Sequence, residues 1–209
     1  SVAGLSVSET RQIDNINRGW QALIEDLRLK RFQINKLVAV EYNKLVSESE
    51  NRLGFGGFRN APVAIGGTSY TPPTPLDLNS CWDELVARCR ALEDNPLEQS
   101  LLLYAEMARN QFFGDGNKRT ALFMMNGNLI QNGLCPITIT KSREVEYRTA
   151  LIGYYESPAQ HRTQFFDFLK QEQQTMLKRW GYEIQDVSKS EFGKTIDTNP
   201  KEGSTKHKL

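Results

Sequence analysis

Apolar residues recur every three or four positions through the first fifty residues. Ile13, Ile16, Trp20, Leu23, Ile24 and Leu27 share one face of a helix, with charged residues between them. Ile34, Leu37, Val38, Tyr42 and Leu45 repeat the pattern in a second helix, and "GFGGF" at Gly54–Phe58 breaks it. Residues 1–50 are therefore expected to be N-terminal helices packed on a core that spans 51–182. From Ala61 to Pro75 the texture changes. Val63 and Ile65 alternate with smaller residues as in a short strand, Gly66-Gly67 is a turn signal, and Thr68, Ser69 and Tyr70 could return before the prolines forbid pairing. A small β-hairpin over 61–75 is expected in an otherwise helical chain. It must pack on the helices or serve as a docking edge, because a lone hairpin is marginal.

Pro75 and Asp77 resemble a helix start, with Trp82, Leu85 and Val86 as its apolar face. Pro96 and Glu98 open the next helix. From Leu101 to Met107 this one is apolar on nearly all sides, so it belongs at the centre of the core. "GDG" interrupts, and the helix that resumes at "NKRTALFMMNGNLIQNG" stops at Gly133. Two further helices are expected near Arg143–Tyr155 and Ala159–Trp180. The segment 183–209 is polar, rich in Lys, Ser and Thr, and reads as disordered. The fold class is mainly α, a helical bundle with one short hairpin.

Composition narrows the chemistry. The 209 residues suit one compact domain, and a net charge of +1 offers no basic field for nucleic acid. No apolar run is long enough to cross a bilayer, and no secretory apolar region stands at the N-terminus. The three cysteines, Cys81, Cys89 and Cys135, form no CxxC pair and read as reduced thiols in a cytoplasmic setting. An effector delivered into a host cell would look the same. With only His161 and His207 available, a histidine metal site or a catalytic triad is disfavoured, and His161 reads as a surface or capping residue.

The segment "QFFGDGNKRTAL" (Gln111–Leu122) carries the most chemistry. Glycines on both sides of Asp115 allow a sharp turn, and a helix follows. The first amides of a helix have no internal acceptor and carry partial positive charge, so a glycine loop at such an end is a natural phosphate cradle. Lys118 and Arg119 oppose the helix dipole unless an anion is expected there. Asp115 could hold a magnesium ion that bridges phosphates. The alternative is an ordinary helix–loop–helix turn with solvated charges, since short glycine motifs recur by chance.

These residues resemble the Fic/Doc family, whose signature H-x-F-x-[D/E]-[G/A]-N-[G/K]-R lies between two core helices. Phe113, Asp115, Gly116, Asn117, Lys118 and Arg119 match it in register. Upstream, "FRNAPVAIGGTSYTPPTP" is similar to the family's flap, and "GLCPITI" and "REVEYRTAL" are similar to its continuation. The similarity spans roughly Leu37–Leu169. It implies a Fic-type helical fold, binding of ATP with Mg²⁺, and transfer of AMP to a hydroxyl side chain of a target protein; the Doc branch phosphorylates its target instead. It also implies Asp115 as the metal ligand and Gly116, Asn117 and Lys118 as the anion hole. Arg119 would be the phosphate-binding arginine, with Asp115, Asn117 and Arg119 also in the catalytic set, and Phe113 the core anchor. The flap residues Val63, Ala64, Ile65, Gly66, Gly67, Thr68, Ser69 and Tyr70 would align an extended target segment.

The departures change the expectation. Gln111 stands where the family has its histidine base, and a carboxamide can orient a hydroxyl but cannot take its proton. General-base catalysis is worth roughly 10²- to 10⁴-fold, so transfer is expected to be lost or strongly reduced. Lys118 and Leu122 are similar to the Doc continuation, and Leu122 replaces the second arginine of Fic adenylyltransferases. A Doc-like kinase or toxin of a toxin–antitoxin pair, with an antitoxin or regulatory partner, is thus the second reading. A non-catalytic binding pseudoenzyme is the third, and Gln111 reads equally as a natural residue or as an engineered inactivating substitution. The inhibitory pattern [S/T]-x-x-x-E-[G/N] matches only Thr198–Gly203, with Pro200 inside it, while Val46–Asn51 lacks the first hydroxyl.

Overall fold

The structure is a computed structural model and describes residues 6–47 and 56–181. The chain forms helices α1 (Val7–Arg28), α2 (Lys36–Ser47), α3 (Leu78–Arg90), α4 (Pro96–Asn110) and α5 (Asn117–Gln131). A 3₁₀ turn at Lys141–Arg143 then leads into α6 (Glu144–Glu156) and α7 (Pro158–Arg179). The expected disordered tail at 183–209 and the match at Thr198–Gly203 lie outside the described residues, as does most of Val46–Asn51.

Local chemistry sets the helix ends. Ser6 and Glu9 form a reciprocal capping box at the start of α1. Asn95 accepts from the Glu98 amide while Pro96 takes the first helical position of α4. Gly133 follows the end of α5 with φ 72°. α3 begins at Leu78, directly after the Pro75–Asp77 start signal, with Asp77 at its N-cap position. The Thr74 hydroxyl donates to the Asp77 carboxylate, and residues 75–77 form a turn that leads into Leu78.

α4 and α5 lie side by side at the centre and share the largest interface; α1 and α2 cover α5, while α3 and α6 cover α4, and α7 packs along α6. Every residue from Ser100 to Ala108 is buried, which explains a helix with no polar face. The ring of Phe32, before α2, packs closely on α5 at Gly127, where an added Cβ would sit only 2.2 Å from a ring carbon. Asn126 of α5 pins the connector to α6 from both sides: it donates to the Ile137 carbonyl at 3.0 Å and accepts from the Ile137 amide at 2.8 Å. Glu172 of α7 is fully buried yet satisfied, accepting from the Thr140 amide and the Arg143 guanidinium.

The β-hairpin expected over 61–75 does not form, and no strand occurs among the described residues. Residues 62–65 form no regular element but alternate in exposure, and Gly66-Gly67 do turn. A ladder, however, needs free main-chain donors. Pro62, Pro72 and Pro73 have none. The Ser69 amide donates to Glu156 and the Tyr70 amide to the Thr68 hydroxyl, so side chains take the place of the ladder. No helix among the described residues is long and apolar enough to cross a membrane.

Candidate functional site

Gln111 ends α4 in the left-handed region (φ 51°, ψ 58°), which turns the chain sharply out of the helix. Its side-chain nitrogen folds back and donates to the Ala108 carbonyl, leaving the amide oxygen as its acceptor. Phe112 and Phe113 then enter the core. Phe112 stacks on Phe58 at 4.9 Å and meets Trp82 edge-on, and Phe113 meets Phe58 edge-on at 5.6 Å. The aromatic anchor inferred for Phe113 is therefore paired with a second one at Phe112.

The turn from Phe113 to Asn117 is closed by a single side chain. Asn117 accepts from the Phe113 amide at 2.8 Å and donates to the Phe113 carbonyl at 2.7 Å, mimicking a paired backbone. Its carboxamide thus shapes the loop through one donated and one accepted bond. Gly116, with φ 73°, presses against α2, where an added Cβ would sit 3.0 Å from Ser47 Cβ. Asn43 of α2 donates to the Asp115 carbonyl at 2.8 Å and to the Thr120 hydroxyl at 3.0 Å. α2 therefore forms the floor beneath the loop.

Gly116, at the N-cap position of α5, has no side chain to cap the first amides of the helix. Those amides open into a cavity of about 490 Å³ lined by Gln111, Gly114–Arg119 and, opposite them, Pro62, Val63 and Ala64. That volume falls in the usual range for small-molecule sites, roughly 300–1,000 Å³. Asp115 is half exposed, and one of its oxygens accepts from the Gly116 amide and lies 3.4 Å from Arg119. Arg119 also donates to the Val46 carbonyl at the end of α2. Lys118 is exposed at the rim. Among the described residues, no three His, Cys, Asp or Glu side chains are grouped to hold a metal. Asp115 is the carboxylate at this cavity, and a magnesium ion needs only one or two carboxylates when phosphates supply the rest.

Of the flap residues, Val63 and Ala64 wall the cavity. Ile65 packs on the core. Gly67 approaches Ile152, the Thr68 hydroxyl donates to Glu156 at 2.9 Å, and the Tyr70 ring contacts both the Arg109 guanidinium and the Tyr155 ring. The far end of the flap is thus fastened to α6. His161 packs against Gly153 of α6 and does not line the cavity.

Two residues at the site carried no assigned role in the sequence reading. One is Asn43. The other is Arg59, which is buried and bonds Gln111, Ala61 and Pro73 through their carbonyls. Asn43 sits 72 residues from the loop it holds and has no local signal; Arg59 precedes the flap in the pattern that matched, and that was its only signal.

Comparison with known proteins points the same way. The Fic/DOC family model matches residues 32–129, the span from Phe32 through α5. Proteins named protein adenylyltransferase Fic are 24% identical over 173 residues in Aedes aegypti and 27% identical over 179 residues in Culex quinquefasciatus. The matches cover 81% of this chain but only 31% of those relatives, so the chain spans about a third of their length. Among solved structures, a Fic domain containing signaling protein from Bacteroides thetaiotaomicron superposes with a TM-score of 0.72 at 18% identity, covering 89% of this chain and 78% of that one. Fic-1 from C. elegans gives 0.69 at 18% identity, covering 87% and 54%. With the flap, the motif loop and the central helices α2 to α4 inside it, the segment 32–129 belongs to the Fic/DOC family.

Proposed function

We propose that the chain binds ATP with Mg²⁺ in the cavity between the flap and the start of α5, and that its transferase chemistry is lost or strongly reduced because Gln111 occupies the position of the base. One observation carries this reading: uncapped amides of α5, Lys118 and the Asp115 carboxylate share a cavity of about 490 Å³ with the flap. A helix start with no capping side chain is a site for anionic oxygens. Gly116, Lys118 and the main chain of Asn117 would hold the phosphates, with Arg119 joining them from its place against Asp115. Asp115 would hold the metal, which when bound neutralises phosphate charge. Val63 and Ala64 would align an extended target segment along the cavity edge.

Gln111 can orient a target hydroxyl through its amide oxygen, but it stores no proton. The reaction this geometry supports is transfer of AMP to a protein hydroxyl, slowed by the missing base. The chain's curated relatives carry the name adenylyltransferase, which favours AMP over phosphate as the transferred group. Leu122 favours the second reading, a Doc-like phosphoryl transfer. It follows Arg119 by three residues on α5 and leaves that face without a second arginine. In either case the target protein engages the flap, and an antitoxin or regulatory partner would cover the same edge. Cytoplasmic residence is part of the proposal.

Comparing Gln111 with Gln111→His, using ATP labelled at the α or γ phosphate in cell lysate, tests it. Label from the α position in the His form alone supports AMP transfer from a site inactivated at one residue. Label from γ alone supports the kinase reading. Absence of ATP·Mg binding by calorimetry, with Asp115→Ala making no difference, would overturn both.

A further inference from the structure

The guanidinium of Arg59 is almost wholly buried, and among the described residues it forms no ion pair. Its recorded acceptors are three main-chain carbonyls. Nε donates to Gln111 at 2.6 Å, Nη1 to Ala61 at 3.0 Å and Nη2 to Pro73 at 2.5 Å, while the Arg59 amide donates to Phe112 at 2.9 Å. Burying a charge without a carboxylate is costly, and burial here pushes the Arg59 pKa down from its ordinary value. An apolar or amide side chain would fill the space at lower cost. What arginine adds is a rigid planar fork that fixes several acceptors at once.

The identity of those acceptors gives the fork its meaning. Ala61 immediately precedes Pro62, Val63 and Ala64, which form one wall of the cavity. Pro73 lies beyond the other end of the flap, and Gln111 belongs to the opposite wall. Gln111 is also held in a left-handed conformation that a residue with a side chain adopts at a cost. One planar group therefore joins both ends of the flap to the main chain of the motif loop.

We propose that Arg59 is a positioning residue that sets the width of the nucleotide cavity by tying the flap and the Gln111 backbone into one rigid body. The proposal deepens the nucleotide-binding reading and rests on it for its consequence. The tether itself is testable without any nucleotide. Lysine keeps the charge but presents a single pivot, so Arg59→Lys cannot span the three carbonyls.

The test places spin labels at Ala64→Cys and Lys118→Cys, on the two walls, in a chain whose Cys81, Cys89 and Cys135 are alanine. With Arg59 the distance distribution across the cavity is expected to be single and narrow. With Arg59→Lys it broadens while circular dichroism still reports a folded helical protein. In chains without labels, affinity for ATP·Mg falls about ten- to hundredfold, as expected when a binding wall is misplaced by an ångström. A narrow distribution in Arg59→Lys overturns the proposal even if melting temperature and affinity both fall, because that pattern is a structural role alone. Should Arg59→Lys fail to fold, exchange of the Arg59 Nε proton in the unaltered chain decides. Slow exchange supports the tether, and exchange as fast as an exposed arginine refutes it. Failure of the unaltered chain to bind ATP·Mg, with a narrow distribution that broadens in Arg59→Lys, sinks the nucleotide reading and leaves the tether standing.

Discussion

Gly116 is the point where the cradle, its helix and α2 meet, so Gly116→Ala separates two physical claims about the site. The first is conformational. At φ 73°, an alanine is forced into the left-handed region, at about 1–2 kcal/mol. The second is steric. The added Cβ would stand 3.0 Å from Ser47 Cβ, 3.2 Å from Asn43 Nδ2 and 3.4 Å from Val46 Cγ2, and crowding of this kind costs about 1–2 kcal/mol. The sum is about 3 kcal/mol, which for a chain of this size lowers the melting temperature by about 6–12 °C. Gly116→Asn carries the same Cβ but tolerates the left-handed region, so it should lose only the steric share, about half as much. Urea unfolding followed by circular dichroism, with an unchanged slope, reads both values. Equal losses for Ala and Asn would refute the conformational argument, and a loss under about 0.5 kcal/mol for Ala would refute both.

Asn117→Ala strands the buried Phe113 amide and carbonyl and should cost about 2–3 kcal/mol in chemical unfolding. Asn117→Asp keeps the acceptor for the amide and should lose less. Gly127→Ala drives a methyl into the Phe32 ring and should cost about 2–3 kcal/mol, part of which returns in the double variant with Phe32→Ala, measured as a double-mutant cycle by thermal melting. Burial pushes the Cys89 thiol from 9.0 up to about 12, so in the folded chain it should resist a disulfide reagent at pH 8 while the unfolded chain reacts. The unfolded chain ionises this thiol first, so its contribution to stability should decline as pH rises between those two values.

The helices were legible because their signals are local. Asn95-Pro96 marks a start, Gly133 a stop, and the stretch from Leu101 to Met107, apolar at every position but Glu106, a central position. The cradle was legible for the same reason, since Gly116 and the residues after it are contiguous. The flap was misread because alternation around Val63 and Ile65 reports which side of an extended chain faces the core, not where its amides find acceptors. Those acceptors include Glu156, 87 residues away from Ser69. Asn43 and Arg59 escaped for a similar reason. An asparagine inside a helix and an arginine in a loop read as solvated, and only the tertiary fold shows both buried beneath the motif.

Asp115 aside, the loop is shaped by groups that hold no exchangeable charge between acid and alkaline pH: the carboxamides of Asn117 and Asn43, the Thr120 hydroxyl and a glycine backbone. Such a frame keeps its form while the medium is titrated. The acidity profile of a ligand held against those uncharged groups should follow the ligand's own phosphates. A histidine introduced at position 111 would then add one sigmoidal step to an otherwise plain curve, and that step would count the protons the site has regained.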